Sequence, residues 1–298
     1  MLDVRWTLAG SDPAGYLTGH LPGARYIDLD RELAGPAGLG GRHPLPQPAD
    51  LQRVWRAAGV DDDSTVVVYD GGPGLAAARA WWLLRWSGLR QVLVLDGGLP
   101  AWTADPSRPT SAGPEPDQQP GSMTVIAGSM PSVDAGQAAE IAESGSGLLL
   151  DARAAARYRG EIEPLDPVAG HIPGSVNLPI GELLTPAGTF RSPGELSAAF
   201  AAVGLVGAAD SVVGGAQGGA GAQGGAGAAR GVVGGAGAER AAGVDGVAGW
   251  PVAAASCGSG ITACQLILAG EVAGLSLALY PGSYSQWCAL GRPVATGS

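Results

Sequence analysis

The sequence predicts an α/β fold of two tandem domains, each a parallel sheet flanked by helices. Three observations carry this expectation: repeated markers, an alternation of strand-like and helix-like runs, and a length suited to two cores. Leu2-Asp3-Val4-Arg5 returns as Leu150-Asp151-Ala152-Arg153, an offset of 148. Gly19-His20-Leu21-Pro22-Gly23 returns as Gly170-His171-Ile172-Pro173-Gly174, an offset of 151. The helical pattern Leu51, Trp55, Gly59 returns as Leu196, Phe200, Gly204, an offset of 145. Three markers in one order at nearly one offset describe two copies of one fold. With 298 residues, 46% of them hydrophobic and 15% charged, the chain has material for two such cores.

Within the first copy, Thr65-Val66-Val67-Val68-Tyr69 is a β-branched run that predicts a strand. A glycine-rich turn, Asp70-Gly71-Gly72-Pro73-Gly74, separates it from a helical stretch over Leu75–Trp86. Gln91-Val92-Leu93-Val94-Leu95 is a second buried strand, closed by Asp96-Gly97-Gly98. The Pro-, Ser- and Gly-rich segment 105–122 reads as a surface linker between a first domain at 1–104 and a second at 123–298. The second copy opens with a strand-like Thr124-Val125-Ile126 and a helix-like stretch at 133–142. Their counterparts do not precede Asp3: either the true start lies upstream, or the first copy is truncated and lacks a strand and a helix. The second copy continues with a strand at 252–256, a turn, a helix at 263–273 and a strand at 276–280.

The offset then breaks. In the first copy Gly59 stands shortly before Asp70, whereas in the second Gly204 stands far ahead of Cys257, so the second copy carries an insertion. Residues 211–250 supply it, with 26 Gly or Ala out of 40. Such a segment has few large side chains to offset its ordering entropy and is expected to be a flexible loop.

Composition narrows the function. A net charge of −10 argues against nucleic acid or an anionic membrane as partner, because both require a basic surface. No basic leader with an apolar run opens the chain and no unbroken apolar run is long enough to span a bilayer, so neither a signal peptide nor a membrane span is expected. Three cysteines, Cys257, Cys264 and Cys288, all near the carboxyl end, cannot build a disulfide framework and suggest a reducing compartment, hence a cytoplasmic protein. Three scattered histidines and no Cys-x-x-Cys make no metal site, and no cofactor is expected.

Cys257 is placed where chemistry wants a thiolate. It follows a strand and opens Cys257-Gly258-Ser259-Gly260-Ile261-Thr262, a loop that feeds a helix. Free backbone N–H groups and the positive end of the helix dipole lower a thiol pKa there. Asp70 occupies the equivalent place of the first copy. A merely structural site would look alike in both copies.

The Asp-x-Arg, Gly-His-[Leu/Ile]-Pro-Gly, Cys-Gly-Ser-Gly-Ile-Thr and Tyr280-Pro281-Gly282-Ser283…Trp287 segments resemble those of tandem rhodanese-type sulfurtransferases over nearly the whole chain outside the insertion. The resemblance implies a catalytic second copy and a degenerate, supporting first one. The cysteine loop is similar to that of 3-mercaptopyruvate sulfurtransferases; thiosulfate-preferring members typically carry Arg and Lys after the cysteine. By the same resemblance Cys257 is the nucleophile that carries a persulfide, and Ser259, His43 and Asp30 form a relay. Arg157 grips the donor carboxylate, and Gly258, Gly260, Ile261 and Thr262 complete the substrate loop. A second family arginine is replaced by Leu165, with Arg159 as a substitute. The implied partners are 3-mercaptopyruvate or thiosulfate as donor and cyanide, a small thiol or a thioredoxin-like protein as acceptor.

Charge supports the same choice: thiosulfate is a dianion and Gly258-Ser259 offers it no cation. Asp151 and Arg153 read as a structural pair, and His20 and His171 as structural residues of duplicated turns. The alternatives are a thiosulfate sulfurtransferase and a catalytically impaired binding module. Phosphatase chemistry of the Cys-x5-Arg kind is disfavoured because residue 263 is Ala.

Overall fold

The computed structural model describes residues 1–145, 147–206, 232–233 and 253–298. Both copies build the same sheet. In the first, β1 (Leu2–Asp3), β2 (Arg25–Tyr26), β3 (Thr65–Tyr69) and β4 (Gln91–Leu95) are parallel and lie in the order β2-β1-β3-β4. In the second, β5 (Leu148–Asp151), β6 (Val176–Asn177), β8 (Ala253–Ser256) and β9 (Ala278–Leu279) are parallel in the order β6-β5-β8-β9. The matching order explains the matching markers. Leu2 pairs with Val68 as Leu150 pairs with Ala255.

One strand breaks the all-parallel expectation. β7 (Val232–Val233) runs antiparallel along β4, with Val94 opposite Val233, and adds a fifth strand to the edge of the first sheet. It belongs to the predicted insertion. The rest of 211–250 lies outside the described residues, and with it the expectation of a flexible loop.

The helices follow the sequence pattern closely. α1 (Pro48–Ala57) turns Leu51 and Trp55 inward. α2 (Leu75–Trp86) is apolar nearly all round and is buried along almost its full length, as such a helix must be. α3 (Ala135–Ser144) starts at a capping box in which Asp134 and Gln137 satisfy each other's backbone amides. α4 (Pro193–Ala202) has the same device from Ser192 and Glu195. α5 (Thr262–Val272) is as apolar as α2, and the two pack against each other across the domain boundary. α6 (Ser283–Ala289) closes the second domain.

Two local expectations need correction, and a third gains detail. Thr124-Val125-Ile126 forms no strand: its amides bond instead to Asp62 Oδ1, Gln52 Oε1 and the Ser87 carbonyl of the first domain. The strand predicted at 276–280 is only Ala278–Leu279. The linker 105–122 is exposed but fastened to the first domain: Ser111 bridges His20, Glu115 accepts from Gly23, and Gly121 donates to Arg56 O. Among the described residues no helix is long and apolar enough to cross a membrane.

Candidate active site

Two loops lie at the carboxyl ends of central strands, where open parallel sheets place their sites. The second follows Ser256, the last residue of β8. Cys257 is buried there, and its backbone is held from both sides. Its amide donates to Ser283 Oγ at 3.1 Å, its carbonyl accepts from Tyr284 N at 3.0 Å, and Gly258 O accepts from Ser285 N at 2.9 Å. The loop curls so that Gly260 N donates to Cys257 Sγ at 3.1 Å. Gly260 sits at φ +80°, and a Cβ there would run into the Pro281 carbonyl oxygen, so the turn requires glycine. Ser283, at φ +49°, is the one non-glycine with positive φ among the described residues; its hydroxyl donates to Tyr280 O. Ile261 is buried in the core and Thr262 opens α5, whose first amides face the loop.

The first domain brings a relay to this loop. His43 Nδ1 lies 2.8 Å from Ser259 Oγ, and His43 Nε2 lies 3.4 Å from Asp30 Oδ1. Asp30 is oriented by Trp6 Nε1 at 2.8 Å and by Ser11, which donates from its amide at 3.1 Å and its hydroxyl at 3.2 Å. With the ring proton on Nε2, Asp30 accepts it and Nδ1 accepts the Ser259 hydroxyl. Burial, reinforced by the positive charges of Arg79 and Arg42, holds the imidazole below its usual pKa against the opposing pull of Asp30. Neutral His43 is therefore the resting form. A cavity of about 870 Å³ opens beside the relay, lined by Asp30, Arg42, His43 and Arg53 among others.

Two guanidiniums approach the loop at Gly258. A Cβ at that position would lie 2.9 Å from Arg42 Nη2 and 3.5 Å from Arg157 Nη1, so the glycine leaves room for both. Arg157 Nη2 donates to Glu163 Oε1 at 2.6 Å and to Asp166 Oδ2 at 3.3 Å, and Arg42 pairs with the other oxygen of Asp166. Burial raises the pKa of Glu163, but Arg157 and the amides of Asp166 and Leu165 outweigh it and hold the carboxyl below the usual range. Arg42 and Asp166 were not among the predicted site residues. The usable signal was adjacency: whatever loop delivers His43 to Ser259 also delivers Arg42.

Arg159 does not substitute for Leu165: it points to solvent and pairs with Glu161 at 2.6 Å. Leu165 is itself exposed. Asp151 and Arg153 form a buried pair whose guanidinium also donates to Gly170 O, and Asp3 and Arg5 repeat it with Gly19 O. His20 stacks on Tyr16 and His171 on Tyr158, each with Nδ1 at the same tyrosine's carbonyl. Cys264 is fully buried, which pushes its thiol up to about 12, and Cys288 is half-buried. Among the described residues no three His, Cys, Asp or Glu side chains gather as for a metal ion.

Comparison with known proteins agrees with this architecture. The model of the rhodanese-like domain matches residues 1–105. A probable 3-mercaptopyruvate sulfurtransferase of Pseudomonas aeruginosa is 39% identical over 100% of this chain and 92% of its own length. A putative thiosulfate sulfurtransferase of Mycobacterium tuberculosis is 37% identical over 100% of this chain and 91% of its own. Among solved structures, the 3-mercaptopyruvate sulfurtransferase of Escherichia coli superposes with a TM-score of 0.67 at 26% identity, covering 95% of this chain and 92% of that one. The enzyme of the same name from Leishmania major shares the fold, with a TM-score of 0.72 at 24% identity, over 98% of this chain and 70% of that one. Two copies of one parallel sheet, a cysteine loop on the second and this degree of similarity lead to one conclusion: the chain belongs to the rhodanese family of sulfurtransferases.

Proposed function

We propose that the protein moves the thiol sulfur of 3-mercaptopyruvate to a thiol or cyanide acceptor through a persulfide on Cys257, where it is held as sulfane sulfur. The Cys257 thiolate attacks the donor sulfur and the carbon–sulfur bond breaks. The electron pair leaves as the enolate of pyruvate, which takes up a proton. An acceptor nucleophile, a small thiol, cyanide or a thioredoxin-like protein, then removes the outer sulfur and restores the thiolate.

The observation that carries this reading is the chain Ser259–His43–Asp30, joined at 2.8 and 3.4 Å across the two domains. A carbonyl donor uses such a relay: Ser259 hydrogen-bonds the developing enolate oxygen, and His43 exchanges the proton. Thiosulfate has no carbonyl and needs neither. Arg157, with Arg42 beside it, is placed to hold the donor carboxylate. Glu163 and Asp166 already balance these two guanidiniums, which suits a monoanion better than a dianion. A second reading, thiosulfate as donor, is favoured by the same pair of cations over Gly258. Steady-state kinetics with both donors side by side decides: kcat/KM is expected to be higher for 3-mercaptopyruvate, and the reverse order would overturn the choice of donor while leaving the persulfide intact.

A further inference from the structure

Arg79 lies in the middle of α2, in the domain without the cysteine, and is completely buried. Its guanidinium donates to main-chain carbonyls: Leu33 O at 3.3 Å, His43 O at 3.1 Å, Pro44 O at 3.3 Å and, across the domain boundary, Gly260 O at 3.3 Å. No carboxylate pairs with it among the described residues. A buried guanidinium without a counter-charge is costly even when its N–H groups are satisfied. The ionisable groups around it are the thiols of Cys264 and Cys257 and the imidazole of His43, which can carry no negative charge. Cys264 stays a thiol at neutral pH, since burial pushes it up to about 12, and its Sγ–H donates to Gly260 O at 3.2 Å. Only Cys257 is left to carry the balancing negative charge. The Gly260 peptide joins the two, accepting from Arg79 through its carbonyl and donating to Cys257 Sγ through its amide.

The other loop supplies an internal control. α2 and α5 pack against each other, and each sends one side chain into its neighbour's loop. Arg79 of α2 reaches Gly260 O, and Gln265 of α5 reaches Pro73 O at 2.6 Å. Pro73 and Gly260 are equivalent, each the third residue after the head of its loop, Asp70 or Cys257. The loop that holds a carboxylate, already met by four backbone amides, receives a neutral amide. The loop that holds the cysteine receives a cation.

We propose that Arg79 is the internal counter-ion of the active site, a positioning residue whose unpaired positive charge balances the anion carried on Cys257 as thiolate and as persulfide. The other charged groups near Cys257 already have partners. Arg42 and Arg157 are matched by Asp166 and Glu163, and the His43 imidazole, neutral and held against Asp30, supplies no cation. The inference rests on Cys257 as the nucleophile.

The test compares Arg79→Gln, which removes the charge, with Arg79→Lys, which keeps it, in the full chain. The readout is labelling of Cys257 by iodoacetamide at neutral pH, located by peptide mass, alongside thermal melting. The counter-ion role predicts labelling slowed about tenfold or more in Arg79→Gln and within about threefold of wild type in Arg79→Lys. A folded Arg79→Gln that labels at the wild-type rate overturns it, as does an equal loss of labelling in both variants. Should either variant fail to fold, the wild-type protein answers instead. Cys257 blocked with iodoacetate carries a carboxylate, and blocked with iodoacetamide it carries a neutral amide of nearly equal size. The anionic form is expected to melt higher by about 2 °C or more, also with Arg42→Ala and Arg157→Ala in place. Equal or reversed melting overturns the proposal. Sulfur transfer surviving Cys257→Ser would instead remove the underlying reading, so the two failures are distinct.

Discussion

The Asp70 loop and the Cys257 loop are the same piece of backbone put to two uses. Each follows a central strand and feeds a buried helix, and each turns its amides inward. In the first, Asp70 fills the cradle itself. Its Oδ1 accepts from Gly72 and Gly74 at 2.9 and 3.1 Å, and its Oδ2 accepts from Ala76 and Ala77 at 2.9 and 3.2 Å. Burial still pushes the Asp70 carboxyl up against those four amides. In the second loop Sγ is one bond shorter and takes one amide, that of Gly260. Counted from Cα, the carboxylate oxygen of Asp70 corresponds to the outer sulfur of a persulfide on Cys257. The first copy thus holds a buried carboxyl where, on the proposed mechanism, the outer sulfur of a Cys257 persulfide would lie in the second. The difference teaches that the fold supplies a cradle of amides and that the side chain at its head sets what the cradle holds.

The sharpest break in the comparison is exchange of the two head residues. Cys257→Ser is expected to abolish sulfur transfer and the mass gain of one sulfur atom after donor treatment; turnover above a few per cent of wild type would contradict it. Asp70→Ala should act in the opposite sense, keeping transfer in the folded protein while lowering unfolding free energy by about 3 kcal/mol or more, because buried amides lose their acceptor at roughly 1–3 kcal/mol each. Denaturant melts with a paired activity assay separate these outcomes.

A smaller effect tests what the first domain lends to the second loop. Ser259→Ala and His43→Gln should each lower kcat with 3-mercaptopyruvate by about 100-fold, the lower range for general acid–base catalysis, and leave thiosulfate turnover nearly unchanged. Equal losses on both donors would reduce the relay to scaffolding. Arg157→Ala and Arg42→Ala are expected to raise KM for 3-mercaptopyruvate by about 10- to 150-fold, the equivalent of one charge-assisted contact of roughly 1.5–3 kcal/mol, with kcat largely kept. A loss confined to kcat would exclude a carboxylate-holding role.

The smallest effect lies in pH. The His43 imidazole is depressed below its ordinary 6.5 by burial, so the folded state binds fewer protons than the unfolded chain below that pH. The stability this represents is present above about pH 6.5 and is lost as pH falls through the depressed folded-state value. His43→Gln should therefore flatten the acid side of the stability curve. An unchanged slope between about pH 6.5 and pH 5 would show that another group governs it.

Local pattern made much of this molecule legible before its structure. The β-branched runs at Thr65–Tyr69 and Gln91–Leu95 and the apolar stretch Leu75–Trp86 form the predicted elements with the predicted bounds. Each carries its period or its composition within its own residues. The repeated Asp-x-Arg and Gly-His-x-Pro-Gly segments were readable for a related reason. In each copy the buried guanidinium bonds the carbonyl of the glycine that opens the turn, so both segments had to recur together. Residues with no local period misled. Thr124-Val125-Ile126 has strand composition but gives its amides to side chains and a carbonyl of the other domain. Ala253–Ser256, though built of helix-favouring alanines, forms the strand expected at 252–256 from its match to the first copy, and β5 and β9 pair with it on both sides.

By itself the sequence determined the two-copy α/β architecture, the two loops and the identity of the group at the head of each. Those properties follow from hydrophobic periodicity and from glycine and cysteine chemistry, which act over a few residues. Only the tertiary structure decided which charges stand around Cys257. The His43–Ser259 pair was expected through the family resemblance alone, whereas Arg42 meets Asp166 across 124 positions and Arg79 meets Gly260 across 181. No pattern in a chain records contacts at such separations. They exist because α2 and α5 bury their apolar faces against each other, and that packing brings the polar groups of the first domain under the loop of the second.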